Sequence, residues 1–475
     1  MPVSLGLDLG TTSISALAVN DNGTVVARSS CNHDAAIRGL PAGHAEQDPQ
    51  VFVEAAIKVL RDVSGQLAQR PECLGLTGQM HGVLLLDESL SPVTNLITWQ
   101  DLRSSESAAA GAGTWLEDFR SRCDEHMVSS TGCRLSPGYM GVTLYVETQR
   151  NNVPKTATCA SFVADWVTAT LTAGETIVTD RSNAAASGVF DLEHDCWSPA
   201  LLAAGNLNPD WFPEVRESGT VVGSLSRDSA ESTGLPHGLP LCTAIGDNQA
   251  AFLGSVPSGE PAIQINVGTG GQINWCVDSF HRVDGMDTRY LPHDRFMLVG
   301  AGLAGGDAYA WVNRTIGRWL RELGFELAPD DLYSRLTQLA TTADSRGELR
   351  CEPLFRGTRQ RPAVRGSFAG VTEDNFTLGN IARSVLVGVA EAMRWFFDNA
   401  GNARPKEFTR IIGSGNGLRR NPLLSRALED VFSSEVWLPR HVEEAAFGAA
   451  LLAGTSVGLW PNLEEAGNQI ELDRA

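Results

Sequence analysis

An α/β fold in two similar halves that face one cleft is the architecture this sequence predicts, and three observations carry it. A run of β-rich segments, a helix and a further strand opens the chain. A comparable order returns after about residue 242. Each half also begins with an apolar strand, a tight glycine–threonine turn and a returning strand. These are Gly6-Leu7-Asp8-Leu9-Gly10-Thr11-Thr12-Ser13-Ile14-Ser15 in the first half and Ile263-Gln264-Ile265-Asn266-Val267-Gly268-Thr269-Gly270-Gly271-Gln272 in the second.

Taken in order, Val3–Leu9, Ser13–Val19 and Thr24–Ser29 read as a three-stranded meander. Pro49–Gln69 has helical spacing, with Val51, Ala55, Val59 and Leu60 on one side. Cys73–Thr77 is a buried strand and Val83–Leu86 another short apolar run. Three antiparallel strands, a helix and a strand form the opening of a ribonuclease-H-like unit. Gly234–Leu241, with Pro236 and Pro240, reads as a linker, which divides the chain into halves 1–242 and 243–475. Beyond it, Ala262–Val267 and Gln272–Cys276 pair, Phe296–Val299 adds a strand, and Asp307–Leu323 is an amphipathic helix. Leu378–Ala400 repeats apolar residues at helical spacing through Ile381, Val385, Val389, Met393 and Phe397. Arg410–Ile412 then leads into the glycine turn Gly413–Gly417. Trp311 and Trp319 are expected in the core.

The chain has 475 residues, enough for two or three domains with large cores. Hydrophobic content of 43% and charged content of 20% are those of a globular protein. A net charge of −19 disfavours a protein that grips a nucleic-acid backbone, which shows a basic face. It leaves an anionic nucleotide open, because a local nest of N–H groups outweighs the global field. The first residues lack the basic-then-apolar pattern of a signal peptide, and no apolar run approaches the ~20 residues of a membrane span. Nine cysteines, scattered without CxxC spacing, read as reduced thiols of a cytoplasmic protein.

The two turns are candidate phosphate cradles. Glycine lets a backbone approach an anion, and consecutive N–H groups form a nest for phosphate oxygens. Either alone reads more readily as an ordinary hairpin, since short motifs are weak; the pairing favours a clamp on one polyphosphate. Asp8, at a strand end beside the first turn, suits Mg²⁺, which binds through few carboxylates and keeps much of its water; a turn-capping role is the competing reading. Asp247, in Gly246-Asp247-Asn248-Gln249, falls at a helix N-terminus, where it is either a simple cap or a base that accepts a proton from an attacking hydroxyl. Gln79-Met80-His81 and Trp99-Gln100-Asp101 end two apolar runs with an aromatic ring and polar groups, the equipment of a small polyol pocket. His33, His44 and His126 read as surface or loop residues. Gly300-Ala301-Gly302-Leu303-Ala304-Gly305 matches GxGxxG, so a dinucleotide site competes; it lacks a following parallel strand that ends in an acid. Gly454-Thr455-Ser456-Val457-Gly458 matches GxSxG but follows a helix rather than a strand, so it is not a nucleophile elbow.

Together these residues resemble the FGGY-type carbohydrate kinases of the actin-like ATPase superfamily, nearly end to end. The likeness runs through Asp8–Thr12, Ala45–Asp48, Gly78–Gly82, Trp99–Asp101, Gly246–Gln249, Gly268–Gly270, Gly366–Val371, Gly413–Asn416 and Glu444–Ala450. It implies two ribonuclease-H-like domains with ATP and sugar between them. It implies Asp247 as base and sugar ligand, and Asp8 near Mg²⁺. It places Thr11, Thr12, Thr269 and Gly270 along the phosphates, Gly306 and Ala310 beside the nucleotide, and Gly415 and Asn416 on the adenine side. Gln79, Met80, His81, Trp99 and Asp101 match the sugar pocket. Leu96–Asp101, Leu303–Gly306 and Leu378–Ile381 look most like the sedoheptulokinases of the family, with departures at Leu102, Asp307 and Val387. The expected activity is ATP-dependent phosphorylation of a ketose at a terminal hydroxyl, by a monomer or homodimer with no nucleic-acid or membrane partner. A xylulose or ribulose kinase, a non-catalytic sugar or nucleotide sensor and a dinucleotide oxidoreductase are the competing functions.

Overall fold

The computed structural model describes residues 1–108, 113–343, 349–355, 357 and 364–475. Two seven-stranded sheets organise it. The first is built on β1 (Val3–Leu9), which pairs antiparallel with β2 (Ser13–Asn20); β2 pairs in turn with β3 (Val25–Asn32). After helix α1 (Pro49–Ser64), β4 (Cys73–Gly78) lies parallel to β1, and β5 (Pro240–Cys242) lies parallel to β4. Helix α2 (Asp247–Ser255) then leads to the second sheet. There β6 (Ile263–Val267) and β7 (Gly270–Val277) are antiparallel, and β8 (Arg295–Ala304) is antiparallel to β7. Beyond α3 (Gly306–Glu322) and α4 (Leu378–Asn399), β9 (Ile411–Ser414) lies parallel to β6 and β10 (Val436–Pro439) parallel to β9. Helix α5 (Glu444–Ser456) follows. The β3-β2-β1-β4-β5 order of the first half is thus repeated as β8-β7-β6-β9-β10.

The period of two along β1 explains both of its faces. Leu5, Leu7 and Leu9 are fully buried in a core with Phe52, Ala56, Val59 and Leu60 of α1. The alternate residues Ser4, Gly6 and Asp8 turn towards α5. The Ser4 hydroxyl donates to the Ala450 carbonyl at 2.6 Å, and a Cβ at Gly6 would lie 1.8 Å from the Ala446 carbonyl oxygen. The second sheet repeats the device. Ile263, Ile265 and Val267 face Val385, Val389 and Met393 of α4, while Gln264 turns to α2 and donates to Ser255 Oγ at 2.6 Å. The helices α2 and α5 meet between the halves at backbone distance. A Cβ at Gly254 would lie 2.0 Å from the Glu444 carbonyl oxygen, and one at Gly448 1.9 Å from that of Ala250.

Several expectations change. The stretch read as a linker runs into β5, in which Leu241 is fully buried, and Ile245–Gly246 still pairs with β4. The first sheet thus continues to Gly246, and Pro240 is accommodated at the first position of its strand, where a missing N–H is tolerated. The GxGxxG segment lies on β8 as far as Ala304, and that strand is antiparallel to both its neighbours; a dinucleotide fold requires a parallel strand there. Trp311 stacks on Phe355 at 3.8 Å, but Trp319 is 49% exposed rather than core. Gly454 and Ser456 lie within α5, so the GxSxG match forms no elbow. All nine cysteines are free, and among the described residues no helix is long and apolar enough to cross a membrane.

Candidate active site

Asp8 ends the α5-facing row of β1. Its Oδ1 is buried and has no hydrogen-bond partner among the described residues. Burial, reinforced by the charges of Asp247 and Glu443, pushes its carboxyl well above the usual range. Asp247 opens α2, and burial pushes its carboxyl up to about 6, opposed by the Asn248 N–H and the Arg289 charge. The charge of Asp247, from the second half, thus acts on Asp8 in the first. Among the described residues no group of three His, Cys, Asp or Glu side chains has metal-holding spacing. Mg²⁺ bound with a nucleotide needs only one or two carboxylates, because phosphates and water complete its shell, so the donor set at Asp8 fits it.

The chain before Asp247 is fixed from beneath. The Gly246 N–H donates to Ser182 Oγ at 2.8 Å, and that hydroxyl donates to the Asp180 carboxylate at 2.7 and 2.8 Å. Asp180 also caps the short helix Arg181–Ala186 through the Asn183 N–H. Met80 packs on the other side of Gly246, where an added Cβ would meet Met80 Cε at 2.5 Å.

The two expected phosphate turns are carried differently. In the first, the Thr11 hydroxyl accepts from Trp99 Nε1 at 3.0 Å and lies 3.4 Å from Gln79 Oε1; Gln47 Nε2 donates to the Thr11 carbonyl at 2.8 Å. Gln79 Nε2 donates to Gln47 Oε1 at 2.9 Å. The turn is therefore tied directly to the polyol cluster, and Thr12 beside it is exposed. The second turn is tied to the N-terminus of α3. The Gly306 N–H donates to the Gly268 carbonyl at 2.9 Å and the Asp307 N–H to the Thr269 carbonyl at 3.1 Å. A Cβ at Gly305 would lie 2.3 Å from the Gly270 carbonyl carbon. Thr269 and Gly270 are exposed at the turn, and Ala310 lies one helical turn along from Gly306. Gly415, at φ +83°, seats against Val267 and Asn266 at the end of β6, and Asn416 follows it, exposed. Thr269, Gly270, Gly306, Ala310, Gly415 and Asn416 thus converge on one end of the second sheet.

At the polyol cluster His81 adopts φ +73°. Its Nδ1 lies 2.8 Å from the Ala186 carbonyl, which only accepts, so Nδ1 carries the proton. The ring stacks on Tyr139 at 4.1 Å and 1°. Asp101 is 1% exposed and accepts from the Ala45 N–H (2.8 Å), the Arg103 N–H (2.9 Å) and Arg103 Nε and Nη2 (2.8 and 3.0 Å). Four donors occupy the four lone-pair positions of this carboxylate. The direct sugar contact expected of Asp101 therefore gives way to a scaffolding position, in which it and Arg103 brace the segment that carries Trp99. Arg103 also binds Glu46 at 2.6 Å and Glu147 at 2.9 Å.

Tyr139, Asp180, Ser182 and Arg289 lie outside the sequence reading. Asp180 with Asn183 carried a helix-cap signal. Arg289 carried none, because an arginine in a β-run reads as a solvent-facing residue. His33, read as a loop residue, packs at 4.9 Å from Phe52, and its Nε2 lies 3.1 Å from the Gly10 carbonyl.

The family model for the N-terminal domain of the FGGY family of carbohydrate kinases matches residues 3–254, and that for the C-terminal domain matches 265–457. A sedoheptulokinase of Mus musculus is 27% identical, over 95% of this chain and 97% of that protein. A xylulose kinase of Lactococcus lactis is 25% identical, over 98% of this chain and 90% of its own length. The crystal structure of a gluconate kinase from Lactobacillus acidophilus shares the fold, with a TM-score of 0.87 at 21% identity over 99% of this chain and 92% of that one.

Proposed function

The chain belongs to the FGGY family of carbohydrate kinases, and on that premise we propose that it transfers the γ-phosphate of ATP to the terminal hydroxyl of a ketose, with sedoheptulose as the favoured acceptor. The carrying observation is Asp247, a carboxyl at the head of α2 that burial raises to about 6 and whose charge acts on Asp8 of the other half. In this reading Asp247 accepts the proton as the sugar oxygen attacks the γ-phosphorus. The Asp180–Ser182–Gly246 chain holds it in place. Thr11, Thr12, Thr269 and Gly270 line the phosphates. Gly306, Ala310, Gly415 and Asn416 take the nucleoside side.

Gln79, Met80, His81 and Trp99 shape the sugar site, with Asp101 bracing it from behind. Mg²⁺ held beside Asp8 supplies charge neutralisation for the phosphates. Residues 1–242 supply the sugar pocket and first turn, and 243–475 the base and nucleotide site, with the strand at Ile245–Gly246 as the seam. We place the protein in the cytoplasm, as a monomer or homodimer.

A xylulose or ribulose kinase is the second reading, favoured by the likeness to the L. lactis protein. An ADP-release assay over a ketose panel decides. Sedoheptulose is expected to give the highest kcat/KM; a higher value for xylulose or ribulose selects the second reading. Asp247→Asn should lower kcat about 10²- to 10⁴-fold with ATP binding intact. A variant that keeps near-normal turnover removes Asp247 from the role of base, and a wild-type protein that turns over no ketose overturns the function.

A further inference from the structure

The edge strand Asp287–Leu291 of the second sheet leans onto the first half. The Thr288 N–H donates to the Gly132 carbonyl at 2.7 Å, Tyr290 OH to Glu217 at 2.6 Å, and Arg181 reaches Asp294 at 2.8 Å. This docking brings Arg289 against the first half. The residue is 5% exposed, and its Nη2 donates to Asp287 at 2.7 Å and to Tyr139 OH at 3.1 Å. Tyr139 is the ring stacked on His81. The other terminal nitrogen, Nη1, is buried without a hydrogen-bond partner among the described residues. The Arg289 charge also acts on Asp247. A guanidinium has only donors, so a buried unpartnered Nη1 calls for an oxygen.

We propose that Arg289 is a specificity-determining residue of the sugar pocket, supplied by the second half, whose Nη1 donates to a neutral oxygen of the bound ketose. This rests on the ketose-kinase reading above. Neutrality follows from the pair already present. Asp287 compensates the Arg289 charge, so a carboxylate on the sugar would bring a second anion to a paired cation and would lie near Asp247, a like charge. A hydroxyl or carbonyl oxygen fills the vacancy without that cost. The same geometry makes the pocket complete only when the edge strand is docked, which couples acceptor recognition to the relative placement of the halves.

The test uses the full-length protein and the variants Arg289→Met and Arg289→Lys, with KM for ketose and for ATP measured separately. Gluconate is included as a sugar acid, and the melting temperature is read with and without ketose in the absence of ATP. Arg289→Met is expected to raise the KM for the preferred ketose about 10- to 100-fold and leave the KM for ATP within about twofold. Arg289→Lys keeps the charge beside Asp287 but lacks the planar fork, so it should not restore the ketose KM. Both should lose the ketose-induced melting shift of the wild type.

A wild-type ketose KM in either variant overturns the proposal, as does a parallel rise in both KM values. A wild-type preference for gluconate over every ketose overturns the neutral-oxygen assignment. Failure of the ketose-kinase reading is separate: the wild type then turns over no ketose, while the melting shift still reports whether Arg289 holds the sugar.

Discussion

Burial favours the neutral acid of Asp247, while the Asn248 N–H and the Arg289 charge favour the anion, with burial the largest influence. A base must be deprotonated to work, so a carboxyl raised to about 6 places the loss of activity well above the ordinary aspartate range. The acid limb of kcat/KM is therefore expected to fall as pH drops through about 6, one proton per site, in a pH–rate profile at saturating ATP. A limb centred near the ordinary value of about 4 would show that Asp247 is better solvated than its surroundings indicate. Sequence alone offers Asp247 as either cap or base; its opening position on α2 is common to both, and the residues that set its surroundings, Asp8, Arg289 and Met80, come from distant parts of the chain. Asp101 shows the opposite case. Its spacing after Trp99 was legible, but its four N–H donors were not, since two of them come from the Arg103 side chain and one from Ala45.

The helices α2 and α5 touch where neither has a side chain. Gly254 and Gly448 are required because a Cβ on either would lie at about bonding distance from a carbonyl oxygen of the other helix. Gly448→Ala is expected to destabilise the protein by about 1–3 kcal/mol or more through forced separation of the helices, read as a lower denaturation midpoint. An unchanged midpoint would mean the helices separate freely. At this scale the sequence was most legible where one period dominates, as in β1, β6, α1 and α4. It was least legible between residues 84 and 225, where short strands and helices follow one another without a sustained period, and where tertiary pairing with residues far along the chain decides the outcome. β5 was misread for the same reason: Pro240 signals a break locally, while parallel pairing with β4 makes the segment a strand.

Across the molecule several acids are buried in ways that disfavour their charge. Asp8 and Asp165 are raised well above the ordinary range, and Asp180 and Asp247 to about 6, in each case chiefly by burial. A carboxyl with a raised folded pKa costs stability when ionised, so this cost shrinks as pH falls. The net charge of −19 adds self-repulsion of the same sign. His441 works the other way: burial lowers it to about 4, and the stability it contributes is lost as pH falls below its unfolded value. Lowering the pH from about 8 to about 6.5, above the unfolded value of histidine, should therefore raise the melting temperature of the ligand-free protein. A flat or falling trend over that window in calorimetry would show that these acids are already neutral or well hydrated.

The placement of α5 bears on whether the chain can be divided. Its residues come from the C-terminal end, yet Phe447, Ala450 and Leu451 form a core with Leu17 and Val19 of β2, and its backbone fills the notch at Gly6 and Gly75. A fragment cut after Ser255 would lack the lid of its own sheet, and the complementary fragment would carry a helix with nothing to cover. Expressed singly, each piece should be insoluble or molten; expressed together, they should co-purify as a one-to-one complex that recovers ATP-dependent turnover. The internal repetition is thus a symmetry of shape without independence, two look-alike bodies that share one rivet.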